Sequence, residues 1–301
     1  MHLNFLRTPE SCFQKLPGYN FNANYVEDLS GYEGLRVHFL DEGPKNSTQT
    51  FLCLHGQPSW SYLYRKMIPI FTAAGHRSIA PDFLGFGRSD KPRSEETYTF
   101  NFHRNLIIGI IKKLDLQNII LVCQDWGGII GLTIPMEMSD LFNGLILMTT
   151  TFGTGDLPLG KGFLDWRKFN NENPDMKIGN LFKRSCPNLS VAECKAYDAP
   201  FPDIAYKSGV RKFPNLVPGQ LNAEGAHLSR KAKEWFSNAW NGKTFMAVGM
   251  KDPVLGPKIM ANLRRHIKGC PEPLEIQNAG HFVQEEGQII AQKALECFEL
   301  I

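Results

Sequence analysis

The sequence predicts an α/β fold: a mostly parallel central sheet flanked by helices, with one inserted helical cap. Three observations lead there. Short apolar runs bounded by Gly or Pro, such as Phe51 to Leu54 and Ile119 to Cys123, suit buried parallel strands. These runs alternate with helical stretches, which favours a sheet with helices on both faces. The alternation breaks once, from about residue 152 to 220, and then resumes.

Taken in order, Leu35 to Phe39 alternates like a strand. Phe51 to Leu54 is a strand ending in His55-Gly56-Gln57-Pro58. Tyr62 to Ala74 reads as a helix, Ser78 to Ala80 as a strand, and Pro81 to Gly87 as turns. A helix over Asn105 to Leu114 precedes the strand Ile119 to Cys123, and another helix is expected from Ile129. Gly144 to Met148 is the next strand. The stretch that follows is rich in Gly, Pro, Asn and Lys, with short helical pieces and no strand run. Thr244 to Gly249 restores the pattern, followed by a helix (Lys258 to His266), a strand (Leu274 to Ile276) and a last helix (Gly287 to Leu300). The economical division is a core of residues 1–152 and 222–301 with a cap of residues 153–221. Such insertions lie over the ligand site at the strand C-termini.

The chain has 301 residues, enough for one core domain with a sizeable insertion. Its 33 basic and 30 acidic residues leave a net charge of +3, which makes no case for nucleic acid or a membrane surface. No apolar run approaches the ~20 residues of a membrane span. The first residues lack the basic-then-apolar pattern of a signal peptide, so a soluble cytoplasmic protein is expected. The seven cysteines are scattered without a C-x-x-C pair. They read as buried small hydrophobes in a reducing compartment, not as disulfides or zinc ligands.

The strongest local signal is Cys123-Gln124-Asp125-Trp126-Gly127. Small residues stand two places before and two places after Asp125, where a strand passes into a helix. That is the pattern of a nucleophile elbow, with Asp in the place more often held by Ser. Alone, Asp125 reads equally as a helix N-cap. Two later turns decide between these. Met250-Lys251-Asp252-Pro253 follows the strand ending at Gly249, and Asn278-Ala279-Gly280-His281-Phe282 follows the last strand. Nucleophile, acid and histidine thus come in the order of the α/β-hydrolase fold, each just past a strand C-terminus. His2, His76, His227 and His266 are expected to be solvated. His38 falls in a strand and His103 near a helix start, and His55 is expected to be structural. No H-E-x-x-H, Walker loop or G-x-G-x-x-G is present, so no metal or cofactor is implied.

An Asp nucleophile narrows the chemistry. Attack on an ester would give only an anhydride, whereas attack at saturated carbon gives an alkyl ester that water can open. Carbon–halogen bonds, epoxides and close relatives remain. A helix N-terminus behind Asp125 favours its anion. His281, oriented by Asp252, would deprotonate the water. Backbone N–H groups of Gln57 and Trp126 would hold the oxyanion, one such donor being worth about 3–4 kcal/mol. A halide leaving group needs donors that keep their proton, and the indoles of Trp126 and Trp166 fit. An epoxide would need acid assistance, for which the cap offers Tyr197 and Tyr206. Trp60, Trp235 and Trp240 read as packing residues. A binding protein that kept the hydrolase fold is a third reading, against which stand all three retained triad candidates.

Longer stretches carry a resemblance. His55-Gly56-Gln57-Pro58-Ser59-Trp60, Ala80-Pro81-Asp82-Phe83, Gln124-Asp125-Trp126-Gly127-Gly128, Gly209-Val210-Arg211-Lys212-Phe213-Pro214 and Ala279-Gly280-His281-Phe282 are similar to haloalkane dehalogenases. The subfamily resembled is that of the 1,2-dichloroethane dehalogenase. Epoxide hydrolases of this fold usually carry His before the nucleophile, where this chain has Gln124. The resemblance implies Asp125 as nucleophile, His281 as base, Asp252 as its partner, and Trp126 and Trp166 as halide-binding indoles. It implies an apolar pocket of Ile129, Phe163, Phe213, Pro214, Val217, Val254 and Leu255. The implied partners are a small haloalkane, water and the halide product, with the protein acting as a monomer. Two departures stand out. Gln57 replaces a Glu and Ile129 replaces a pocket Phe, which predicts more room and bulkier substrates than 1,2-dichloroethane.

Overall fold

The computed structural model describes residues 4–301. Eight strands form the central sheet: β1 (Asn24–Val26), β2 (Val37–Glu42), β3 (Thr50–Leu54), β4 (Arg77–Pro81), β5 (Ile119–Gln124), β6 (Phe142–Met148), β7 (Lys243–Gly249) and β8 (Leu274–Ile276). Their order across the sheet is β8-β7-β6-β5-β3-β4-β2-β1. β2 pairs antiparallel with both β1 and β4, and the other pairings are parallel. Parallel strands need cover on both faces, and every residue of β3 and β5 is buried. Phe5–Leu6 and Lys91–Pro92 form a separate antiparallel pair.

Helices alternate with these strands: α1 (Ile68–Ala73), α2 (Phe100–Lys113) and α3 (Trp126–Gly131) before the insertion. The insertion holds α4 (Lys161–Glu172), α5 (Ile178–Ser185), α6 (Val191–Asp198) and α7 (Ser208–Leu216), and α8 (Ala226–Asn238), α9 (Pro257–Arg264) and α10 (Gly287–Phe298) follow it. Local chemistry sets several boundaries. Thr99 caps α2 by accepting the Phe102 N–H, and Ser190 with Glu193 forms a reciprocal capping box on α6. The single helix expected over Tyr62 to Ala74 is instead a 3-10 turn, Ser61–Tyr64, followed by α1. Pro69 is the reason: inside a continuous helix its ring would meet the carbonyl of Arg65, so it sits in a first turn. The helix after β5 begins at Trp126, earlier than expected, because the turn needs only one residue.

The strand order reverses at β3, which lies between β4 and β5. Ligands of such sheets bind beyond the strand C-termini at that crevice. The loops after β3, β5, β7 and β8 all emerge there. The cysteines are all free, but only Cys53, Cys123 and Cys194 are buried. Cys12, Cys186 and Cys270 are half-buried and Cys297 is exposed, unlike the burial expected of all seven. Among the described residues no helix is long and apolar enough to cross a membrane.

Candidate active site

β5 leads straight into a one-residue turn. Asp125 has φ 51° and ψ −122°, a conformation that L residues rarely adopt. α3 starts at the next residue. A side chain at Gly127 would run into the Leu54 carbonyl oxygen, so the elbow closes only with glycine there. Asp125 is pinned from the residues just after β6 as well: its N–H donates to Thr149 O at 3.0 Å, and Thr150 Oγ1 donates to its carbonyl at 2.8 Å. The loop after β3 lies against the elbow closely enough that a Cβ on Gly56 would collide with the Asp125 side chain. This approach brings the Gln57 N–H to Oδ1 of Asp125 at 2.8 Å. The Trp126 N–H is the first of α3, where backbone N–H groups have no partner inside the helix.

Asp252 lies in the turn after β7 and His281 in the turn after β8. Nδ1 of His281 donates to Oδ2 of Asp252 at 2.9 Å, and Oδ1 of Asp252 accepts the Val254 N–H at 2.8 Å. Burial alone would raise the Asp252 carboxyl. The charge of His281, its hydrogen bond and the N–H groups of Val254 and Leu255 outweigh that and hold it below the usual range. On its other side, Nε2 of His281 faces Oδ2 of Asp125 at 3.6 Å. Burial alone would lower the imidazolium pKa, but the charge of Asp252, the nearby Asp125 and the bond to Asp252 raise it to about 10. The three residues named from the sequence therefore meet as one constellation.

A cavity of about 750 Å³ opens above them, with Asp125 and His281 in its wall. That volume is in the range of small-molecule sites. Ile129, Phe163, Pro214, Val217, Val254 and Leu255 line it, as do Gln57, Trp126 and Trp166. Phe213 does not, contrary to expectation. It is buried behind the wall, with its ring edge-on to Trp126 at 5.0 Å and to Phe86 at 4.8 Å. Successive helical residues point about 100° apart, so Pro214 faces the cavity and Phe213 turns away. Sequence reasoning missed Phe169, Leu181 and Ile259, which also line it. The spacing Phe163, Trp166, Phe169 along α4 was the available signal, because positions three apart share a helix face.

The five tryptophans divide by what their indoles touch. Trp60 donates to Ala196 O at 3.2 Å and Trp240 to Thr244 Oγ1 at 3.0 Å, while Trp235 packs against both Phe236 and Trp240. Trp126 and Trp166 border the cavity, and neither donates to a protein oxygen among the described residues. The cap tyrosines lie elsewhere. Tyr197 is fully buried and donates to Glu285, which also holds Arg65 through two 2.8 Å bonds. Neither Tyr197 nor Tyr206 lines the cavity.

Among the histidines, His55 is structural: Nδ1 donates to Gly56 O and Nε2 accepts the Phe83 N–H. His227 is exposed and His266 half-buried, but His76 is buried, packed against Phe51 at 5.7 Å, where a solvated ring was expected. His2 lies outside the described residues. No group of three or more His, Cys, Asp or Glu arranged to hold a metal ion occurs among the described residues.

Known proteins agree with this geometry. Residues 49–288 match the family model described as alpha/beta hydrolase fold. A haloalkane dehalogenase of Psychrobacter cryohalolentis is 46% identical, with 96% of each chain covered. Haloalkane dehalogenase 1 of Mycobacterium tuberculosis is 40% identical, with 97% of this chain and 98% of that one covered. Among solved structures, the tetrameric haloalkane dehalogenase of Paraglaciecola agarilytica superposes with a TM-score of 0.97 at 51% identity, over 99% of this chain and 100% of that one.

Proposed function

The chain belongs to the haloalkane dehalogenases, enzymes of the α/β-hydrolase fold that hydrolyse carbon–halogen bonds, and we propose that it does so by attack of Asp125 on the halogen-bearing carbon. Oδ2 of Asp125 displaces halide, and the new C–O bond is an alkyl ester. Trp126 and Trp166 receive the halide through their indole N–H groups, which donate without losing a proton. The attack consumes the charge of Asp125, and His281 then keeps only one of its two anionic neighbours. Its proton is released more readily, and Nε2 can take one from water. Water adds to the ester carbonyl while the Gln57 and Trp126 N–H groups hold the oxyanion. Collapse returns the Asp125 carboxylate and releases the alcohol.

The observation that carries this reading is the position of Asp125. It stands in a strained elbow and lines the cavity, with a backbone donor on one oxygen and the imidazole opposite the other. The placing of Tyr197 and Tyr206 away from the cavity favours halide over epoxide. The cavity volume supports substrates larger than 1,2-dichloroethane, with 1-bromobutane as a representative. The tetrameric relative at 51% identity favours assembly of this chain into an oligomer over the monomer expected from sequence. Light scattering tests that directly.

The deciding experiment measures halide release from 1,2-dibromoethane and 1-bromobutane by wild type and Asp125→Asn, with styrene oxide as counter-substrate. Release by wild type that vanishes in the variant is expected. Diol from styrene oxide without halide release would overturn the reading.

A further inference from the structure

The carboxamide of Gln124 touches the base directly, and the reaction as described leaves it without a part. Gln124 ends β5 and is fully buried. Its Nε2 lies 2.9 Å from Nε2 of His281 and 3.3 Å from the carbonyl oxygen of that same residue. The carbonyl is fixed in turn by Thr149 Oγ1, which donates to it at 2.8 Å. A carbonyl only accepts, so it selects the nitrogen end of the amide. Turning the carboxamide over would set its oxygen against the His281 carbonyl oxygen. Oε1 of Gln124 is meanwhile buried with no protein partner among the described residues. A buried acceptor left unpaired carries a desolvation cost that no hydrogen bond offsets. Such a group calls for a reason to be there.

We propose that Gln124 is a positioning residue for the base: by giving an N–H to Nε2 of His281 it favours the neutral imidazole over the imidazolium. The charged groups facing the ring are Asp252, from the turn after β7, and Asp125, from the elbow, and both favour the imidazolium. Phe282 packs edge-on at 5.1 Å, and the cations Lys251 and Arg184 border the same cavity without bonding to the ring. Among the described residues, Gln124 is thus the one group in hydrogen-bond contact with Nε2 that opposes protonation. With Nδ1–H given to Asp252 and an N–H received at Nε2, a single neutral tautomer is specified, and the carboxamide yields the Nε2 lone pair to water when the proton is taken. Once Asp125 is esterified, Asp252 alone holds the proton on the ring. The Gln124 N–H then tips the balance toward free base near neutral pH, where general-base catalysis works best.

This inference rests on His281 acting as base in the proposed reaction, and its test is chosen to fail separately. In an Asp125→Asn background, which mimics the uncharged ester, the ¹⁵N shift of the His281 ring is titrated with Gln124, Gln124→Glu and Gln124→Met. The midpoint should rise by about one pH unit or more with Glu, which accepts from the imidazolium, and by less with Met. In rapid-quench reactions with 1-bromobutane the Asp125 enzymes carrying these changes should release their first halide within about threefold of wild type. Alcohol formation at pH 7 should slow by about tenfold, with its acid limb moved up in parallel. Unmoved ring titrations overturn the proposal, as does equal slowing of both chemical steps. If the Glu variant does not fold, the Met variant decides alone. A wild type without a halide burst would sink the reaction assigned to the site, while the ring titration would still decide the role of Gln124.

Discussion

The side-chain amide of Gln57 donates to the Val210 carbonyl oxygen at 2.9 Å, while its backbone N–H donates to Asp125. One residue therefore ties the nucleophile to α7 of the cap. An ionised glutamate cannot make the first bond, because a carboxylate has only acceptors. Gln57→Glu should destabilise the protein by about 1–3 kcal/mol once the new carboxyl is ionised. Urea midpoints at pH 8 and at pH 5, each relative to wild type, measure this. An undiminished midpoint at pH 8 would mean the tie contributes nothing.

His281→Gln should separate the two chemical steps. Displacement of halide needs the Asp125 carboxylate and not the imidazole, so the variant should release one equivalent and stop. The ester on Asp125 should appear by mass spectrometry as the protein plus the alkyl group of the bromoalkane used. An unmodified mass after incubation with 1,2-dibromoethane would argue against a covalent intermediate.

The elbow was legible because its geometry is local: glycine at 127 is what lets the turn close, and the acid and histidine follow in fixed order after strands. The sheet was legible because buried parallel strands leave unbroken apolar runs, as in Ile119–Gln124. What escaped is set by rotation and by distance. Whether Phe213 or Pro214 faces the cavity depends on how α7 is turned about its axis, which no pattern in its own sequence states. The Arg65–Glu285 pair joins residues 220 apart, and Tyr197 reaches it from the cap. A cap tyrosine that looks available for acid catalysis is thereby engaged in holding cap to core. The contact between Gln124 and His281 spans 157 residues and was equally silent.

Trp166 lines the cavity from α4 with its indole free of protein acceptors among the described residues, so it should report on bound halide. Bromide or iodide should quench tryptophan emission, and Trp166→Phe should weaken halide affinity by at least about tenfold, the value of one hydrogen bond to an ion. Trp60→Phe serves as the control, because that indole already donates to Ala196. Equal halide affinity in wild type and Trp166→Phe would remove Trp166 from the halide site.

His103, on α2, is buried among Phe83, Phe102, Tyr98 and Phe213, and neither ring nitrogen has a protein partner among the described residues. Burial, and to a lesser degree the charge of His55, pulls its pKa down to about 3. The sign follows from linkage. Between the ordinary value near 6.5 and the folded value, the unfolded chain binds a proton that the native state refuses, so stability falls as pH falls through that window. Above the window the ring is neutral in both states and contributes no slope. His103→Phe removes the titration and keeps an aromatic ring in an aromatic cage. Its stability relative to wild type should therefore improve on going from pH 7.5 to pH 4.5, by on the order of 2 kcal/mol. Any overpacking by the larger ring costs about 1–3 kcal/mol but shifts both pH values alike, and so leaves the difference untouched. Chemical denaturation of both proteins at the two pH values gives that difference directly. A wild type and variant that lose stability in parallel on acidification would show that His103 takes up its proton in the native state.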